Sequence, residues 1–312
     1  MQKPDYLVTG GCGFIGSHIC EGLVERGHTV RVLDNLASGY LRNLDHLGSA
    51  VEIQQGDVRN PDDVRKAVAG VRGVFHEAAL VSVFDSVQRP MDNHDINATG
   101  TLQVLLAARD AGVQRVVLAS TAAAYGNDPE LPKREDMRPQ PESPYAVAKI
   151  AGEHYLRLFA SLYALPTVVL RYFNVFGPRQ DPKSPYSGVI SRFCDDVTAG
   201  RTPTVFGDGG QTRDFVFVKD VVQANWLAMS DRTEGRGQIY NVASGRTASL
   251  LDLLATLSQL TGRPVAPAHQ PARAGDIRHS AADIAKARRE LGYEPQFDLT
   301  RGLDLLLKSL NK

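Results

Sequence analysis

The sequence predicts an α/β protein: a doubly wound parallel sheet with a smaller α/β lobe beside it. Two observations carry this. Over residues 6–171, short apolar runs bounded by turn residues alternate with stretches of helical periodicity. Such alternation builds a parallel sheet covered by helices on both faces. Glycines 10, 13 and 16 lie between the first apolar run and the first helical stretch. In that context they form a phosphate-cradling turn, and ligands of such sheets bind outside the carboxyl ends of the strands.

The first strand is Tyr6-Leu7-Val8-Thr9, followed by Gly10-Gly11-Cys12-Gly13-Phe14-Ile15-Gly16 and a helix over 14–25. The glycines allow a tight turn and close backbone approach to a pyrophosphate, with a helix N-terminus facing the anion. Gly10, Gly13, Phe14, Ile15 and Gly16 are therefore cofactor-binding candidates. The second strand, 29–33, ends at Asp34, about 20 residues after the glycines. A carboxylate there, with Asn35 beside it, binds both hydroxyls of an adenosine ribose and repels a 2′-phosphate. Arg31 precedes the strand end instead of following it, so NAD is expected over NADP. Strand 51–54 ends at Gly56-Asp57-Val58, where Asp57 is placed to meet the adenine amine. Asn60-Pro61-Asp62 starts a helix. Strand 73–76 leads to Glu77-Ala78-Ala79, whose small residues allow close cofactor approach, and His76 reads as structural. A long helix over 91–111 carries Asn97, and strand 115–118 ends at Ser120-Thr121.

A charged, proline-containing loop over 127–142 precedes Ser143-Pro144-Tyr145-Ala146-Val147-Ala148-Lys149. Ser143 suits an N-cap and Pro144 the first helical position. Tyr145 then lies in the first turn, and Lys149 four residues on shares its face, about 5–6 Å away between Cβ atoms. Taken alone, the pair is also what an ordinary surface helix carries. An ammonium at about 6 Å, at an effective dielectric of about 20, favours the phenolate by roughly 3 kcal/mol, or about 2 pKa units below a free tyrosine near ~10. An oxidised nicotinamide would supply a further positive charge. Lys149 is thus expected to lower the Tyr145 pKa. The helix runs to about 163, and strand 167–171 follows.

Beyond Arg171 the pattern loosens. Residues 172–186 read as loop, 189–199 as helix, 207–214 as a glycine-rich turn and 215–218 as strand. Helix 219–229 and strand 238–240 are expected to rejoin the first domain, and helices follow over 250–260, 282–291 and 299–310. The expected division is 1–173 with about 215–243 as the cofactor-binding domain, and 174–214 with 244–312 as a lobe closing over the carboxyl edge of the sheet.

Composition narrows the function classes. The formal net charge is zero, so nothing points to nucleic acid or an anionic membrane surface. No apolar run reaches the roughly 18 residues of a membrane span, and no signal-peptide pattern is expected at the N-terminus. The three cysteines, Cys12, Cys20 and Cys194, fit reduced thiols in a cytoplasm. No His, Cys or carboxylate cluster has metal-ligand spacing, so no metal is expected.

The glycine loop, Asp34, Ser120-Thr121, Tyr145-x-x-x-Lys149 and Arg171-Tyr172-Phe173-Asn174 together resemble the extended short-chain dehydrogenase/reductase family. Within it they most resemble the nucleotide-sugar 4-epimerases, over essentially the whole chain. The resemblance implies a Rossmann-type domain holding NAD, lined also by Val58, Ala78, Ala79, Asn97, Ser120 and Phe173, and a nucleoside-diphosphate sugar between the lobes. It implies that Thr121 hydrogen-bonds the sugar O4, that Tyr145 takes the O4 proton, and that Lys149 binds the nicotinamide ribose. The 4,6-dehydratases of the family carry Asp-Glu after the catalytic Thr. Here Ala122 and Ala123 offer no acid, so dehydration is not expected.

The resemblance also assigns the substrate. Asn174, Arg213 and Arg273 match positions that hold the diphosphate, Asp276 a uridine-ribose contact and Phe206 a position near the uracil. Ser280 matches the position beside the sugar's C2 substituent, where a Tyr restricts the pocket to plain hexoses and a small residue admits an N-acetyl group. Arg273-Ala274-Gly275-Asp276-Ile277-Arg278-His279-Ser280 and Arg179-Gln180-Asp181-Pro182 resemble the UDP-N-acetylglucosamine 4-epimerase subgroup, with Ser82 and Gln180 as polar neighbours of the sugar. Interconversion of UDP-GlcNAc and UDP-GalNAc is the favoured expectation. UDP-glucose or UDP-uronate epimerisation, a sugar-nucleotide reductase, and a non-catalytic NAD-binding regulator stay open, and Arg278 with His279 leaves room for a uronic acid. Family members pair through two helices per subunit, which implies a homodimer through helices 91–111 and 145–163.

Overall fold

The computed structural model describes residues 3–181, 188–272 and 277–310. In chain order the elements are β1 Tyr6–Thr9, α1 Phe14–Val24, β2 Val30–Asp34, β3 Val51–Gln55, α2 Pro61–Val68, β4 Gly73–His76, α3 Val83–Gln88, α4 Pro90–His94, α5 Gly100–Asp110, β5 Arg115–Thr121, α6 Pro144–Tyr163 and β6 Thr167–Tyr172. They continue with β7 Asn174–Phe176, α7 Val189–Thr198, β8 Thr204–Phe206, β9 Thr212–Phe217, α8 Val218–Met229, β10 Arg236–Val242, β11 Thr247–Ser249, α9 Leu250–Thr261, β12 Ala268–Gln270, α10 Ala285–Leu291 and α11 Leu299–Leu310.

Seven parallel strands form the main sheet in the order β10-β6-β5-β4-β1-β2-β3. Strand side chains alternate between faces, so β5 sends Val117 and Ala119 into the core under α1 and α8, and Val116 and Leu118 into the core under α2, α5 and α6. The strand order reverses between β1 and β4, which opens the ligand crevice at their carboxyl ends. A mixed sheet, β11-β9-β7, and a parallel pair, β12-β8, build the smaller lobe. Its core is Phe176, Phe193, Leu253 and Leu306 with their neighbours.

Three local expectations are corrected. Residues 174–176 form a strand instead of loop, because Asn174–Phe176 pairs with Phe215–Phe217, a partner too distant in sequence to mark the segment locally. The helix expected over 91–111 is not uniform: α4 and α5 are joined by a wide π turn over Asp95–Thr99. An unforeseen short helix, α3, precedes them, with Asp85 N donating to the Ser82 hydroxyl at its N-cap (2.8 Å).

Candidate active site

The glycine loop sits at the strand-order reversal. Gly10 has φ 68°, a backbone that favours glycine, and a Cβ there would lie 2.8 Å from Ala78 N. A Cβ on Gly16 would lie 2.2 Å from Gly10 O, so α1 packs against the turn only with glycine at that position. Gly13 caps α1 without a side chain, which leaves the first-turn N–H groups of the helix free of a side-chain cap. Asp34 is buried and tied to the loop: Cys12 N donates to Oδ2 (2.9 Å) and Leu36 N to Oδ1 (2.8 Å). Burial, reinforced by Asp34, pushes the Cys12 thiol up to about 12, so it stays protonated.

Asp57 accepts from Asn35 Nδ2 (2.9 Å) and from Arg59 Nε (2.9 Å) and Nη2 (2.7 Å), and the Arg59 bonds hold its carboxyl well below the usual range. Arg59 went unnoticed in the sequence; its place two residues beyond a strand-end carboxylate was the available signal. Val58 is buried against Gly100. Asn97 commits its amide to one backbone unit: Leu80 N donates to Oδ1 (2.9 Å) and Nδ2 donates to Leu80 O (3.0 Å). It braces the loop after Ala78-Ala79, and the π turn brings it there. Phe173 is buried, its N–H donating to Val242 O (3.0 Å). The Ser120 hydroxyl donates to Glu153 Oε1 (2.5 Å) inside a buried ion pair with Arg171, below the crevice floor.

Three side chains meet at the carboxyl end of β5. The Ser143 hydroxyl accepts from Ala146 N (3.2 Å), and Pro144 opens α6, which sets Tyr145 in the first turn. The Tyr145 phenol lies near the Thr121 hydroxyl, which accepts from Ala123 N (3.1 Å). Lys149 is buried, and its Nζ donates to Ala119 O (2.9 Å). Burial pulls Lys149 down to about 8, against the support of Glu77 and Glu153.

The expected lowering of Tyr145 is corrected. Burial pushes the phenol up to about 12; the Thr121 hydroxyl works against this and Glu77 adds to it. Helix spacing places the two Cβ atoms side by side but does not direct the lysine's flexible end, which goes to the Ala119 carbonyl. His76 is pinned between the hydroxyls of Thr9 (2.7 Å) and Thr101 (3.0 Å), and burial pulls it to about 3, a neutral structural imidazole.

The substrate candidates gather around β9. Asn174 Nδ2 donates to Asp214 O (3.1 Å), Arg213 Nη1 to Thr212 O (2.9 Å) and Ser280 N to Thr212 O (3.0 Å). Phe206 ends β8, and its carbonyl accepts from Gln211 Nε2 (2.9 Å). Gln180 Oε1 accepts from the Ser191 hydroxyl (2.6 Å), and Ser82 serves as the α3 cap. Arg273 and Asp276 lie outside the described residues. Arg278 grips both oxygens of Asp208, each at 2.7 Å, and His279 Nδ1 meets the Thr212 hydroxyl (2.9 Å). A contact unforeseen from the sequence joins the lobes: Arg179 donates to Ser17 Oγ (3.2 Å) and pairs with Glu21, both on α1.

Among the described residues no group of three His, Cys, Asp or Glu could hold a metal ion, and no helix is long and apolar enough to cross a membrane. The glycine cradle and the strand-end carboxylate Asp34 fit an adenine dinucleotide with a free 2′-hydroxyl.

Comparison with known proteins agrees with this geometry. A family model described as the NAD dependent epimerase/dehydratase family matches residues 6–243. The UDP-glucose 4-epimerase of Mycolicibacterium smegmatis is 40% identical over 304 residues, covering 95% of each chain. The UDP-N-acetylglucosamine 4-epimerase from Methanobrevibacter ruminantium M1, solved with UDP-N-acetylmuramic acid, superposes with a TM-score of 0.93 at 36% identity, covering 100% of this chain and 99% of that one. The UDP-glucose 4-epimerase of Thermus thermophilus, solved as a complex with NAD, has a TM-score of 0.87 at 38% identity, covering 98% and 99%.

Proposed function

The chain belongs to the NAD dependent epimerase/dehydratase family and uses NAD, and on that premise we propose that it is a UDP-sugar 4-epimerase interconverting UDP-GlcNAc and UDP-GalNAc. The observation that carries the epimerase assignment is the meeting of Tyr145 and Thr121 at the end of β5, with Lys149 buried and anchored to Ala119 O (2.9 Å) on the same strand. Ala122 and Ala123 follow Thr121, so no acid stands there to protonate a leaving hydroxyl.

The large lobe, 1–173 with about 215–243, holds NAD through Gly10, Gly13, Phe14, Ile15, Gly16, Asp34, Asn35, Asp57 and Lys149. NAD, when bound, would supply the hydride acceptor and donor for sugar C4. Thr121 orients the sugar O4 and Tyr145 takes its proton as general base. Lys149 holds positive charge beside the departing proton. Tyr145 then hands the proton back to O4 after the 4-keto sugar has turned its other face, so the reaction is redox-neutral overall. Asn174, Arg213 and Arg273 suit the diphosphate, because guanidinium groups give charge-assisted, bidentate bonds to phosphate oxygens.

The preference for an N-acetylated sugar rests on Ser280, a small, half-buried residue held beside Arg213 by its bond to Thr212 O. A plain-hexose reading is favoured by the names of relatives such as the Mycolicibacterium smegmatis protein. A proton NMR time course with UDP-GlcNAc and UDP-glucose in parallel, without added NAD, separates the two. Faster appearance of the galacto anomeric signal from UDP-GlcNAc is the expected result. Faster turnover of UDP-glucose would remove the Ser280 assignment, and no turnover of either with NAD supplied would point first to a UDP-uronate as substrate and next to a sugar-nucleotide reductase.

The homodimer is part of the same proposal. Val147, Leu158 and Leu162 are exposed along α6, and Phe84, Val87 and Met91 along α3 and α4. These apolar stripes support an interface through α6 and the helices beside it, where a second copy would cover them. Leu158→Glu with Leu162→Glu is expected to convert a dimer to monomer in sedimentation velocity. A double variant that sediments as a full dimer would place the interface elsewhere.

A further inference from the structure

Glu77 follows β4 and points to the face opposite His76, as strand alternation requires. There the Tyr172 hydroxyl donates to Glu77 Oε1 (2.9 Å), and Asn225 Nδ2 of α8 donates to that same hydroxyl (2.7 Å). Because Asn225 occupies the phenol oxygen as a donor, the single Tyr172 proton goes to Glu77. The bond reaches from the end of β4 to the end of β6, passing the end of β5 between them. That strand end carries Thr121, in register with Tyr172 and near Tyr145. Among the described residues the Glu77 carboxyl accepts from this neutral hydroxyl and from no cation.

The titratable groups facing Glu77 are few. Tyr172 comes from β6, and Tyr145 and Lys149 come from α6. Among the described residues α8 contributes the Asn225 amide. His76 is neutral on the other face, and Glu153 is locked to Arg171.

We propose that Glu77 is a positioning residue of the reaction, its charge opposing the Tyr145 phenolate so that its protonation sets the pH at which Tyr145 takes the O4 proton. This rests on the epimerase assignment above. Burial pushes the Glu77 carboxyl up to about 7, while Tyr172 and Lys149 pull it back, so its charge changes near neutral pH. Ionised, it is one of the groups that keep Tyr145 protonated; neutral, it lets the phenol ionise more readily. Sequence inspection passed over it as a neighbour of two alanines, although alternation past the structural His76 was a usable signal.

The test is the pH dependence of kcat/KM in wild type, Glu77→Gln and Tyr172→Phe. The rate rises with pH as Tyr145 deprotonates, and Glu77→Gln removes an opposing charge. Its acid limb is expected to move to lower pH by roughly one unit, the size of a charge interaction across several ångströms at an effective dielectric of about 20. Tyr172→Phe removes the hydrogen bond that supports the carboxylate, so a smaller shift in the same direction is expected. That variant carries the test if Glu77→Gln fails to fold. A folded Glu77→Gln enzyme with activity lowered evenly at every pH, or with its limb moved upward, overturns the proposal. Near-ultraviolet tyrosinate titration, as the difference between each protein and its Tyr145→Phe counterpart, reads the same shift without substrate. It tests Glu77 even if wild type shows no epimerase activity.

Discussion

Tyr145→Phe is expected to lower kcat for epimerisation by about a hundred- to ten-thousand-fold, the usual contribution of a positioned general base, and to leave the NAD content unchanged. The substitution removes one oxygen and keeps the ring, so the half-buried start of α6 retains its packing. The Thr121 hydroxyl keeps the bond from Ala123 N (3.1 Å), so O4 is still bound but no group accepts its proton. Burial holds the phenol at about 12, with the Thr121 hydroxyl opposing and Glu77 adding to the rise. The wild-type rate should therefore climb with pH through the neutral range, and this climb should vanish in the variant. NMR turnover assays, with cofactor measured after denaturation, check both points. Near-wild-type activity would remove Tyr145 as the base.

The largest stability effect is expected at Glu153. Arg171 Nε and Nη2 donate to its two carboxylate oxygens at 2.8 and 2.6 Å, and both residues are buried. Burial works to lower Arg171, but Glu153, aided by the Tyr125 ring 4.7 Å beneath the guanidinium, keeps it raised above its ordinary value. Glu153→Leu leaves that charge buried without its counter-ion, a loss of about 3–5 kcal/mol. Adding Arg171→Met should recover most of it, since apolar replacement of a whole buried pair is often neutral. Urea unfolding of the two variants tests this, and a single-variant loss below ~1 kcal/mol would show that Arg171 finds another partner. The site should feel the change as well, because Ser120 loses its acceptor and Lys149 loses one of the carboxylates supporting its charge.

The strands and helices of the large lobe were legible because their signals are local. Short runs rich in β-branched and other apolar residues mark β1, β2, β4, β5 and β6. Gly10 and Gly16 announce a turn no other residue fits, and Ser143-Pro144 marks where α6 begins. Elements that exist through distant partners were not legible. Asn174–Phe176 is a strand because β9 lies beside it, and the π turn at Asn97 forms where that amide can reach Leu80. Arg278, which the sequence left open as a contact for a uronic acid, is engaged by Asp208.

The sequence by itself determined the sheet, the glycine cradle and the set of residues that converge on the end of β5, since each depends on residue type and spacing along one segment. Only the tertiary structure decided how those residues are charged and paired. Electrostatics depends on distance and burial in three dimensions, and neither the carbonyl that draws Lys149 nor the carboxyl of Glu77 held by the Tyr172 hydroxyl follows from positions in a line. The same residues that make the site recognisable in sequence therefore take their protonation states from neighbours that only the fold brings near.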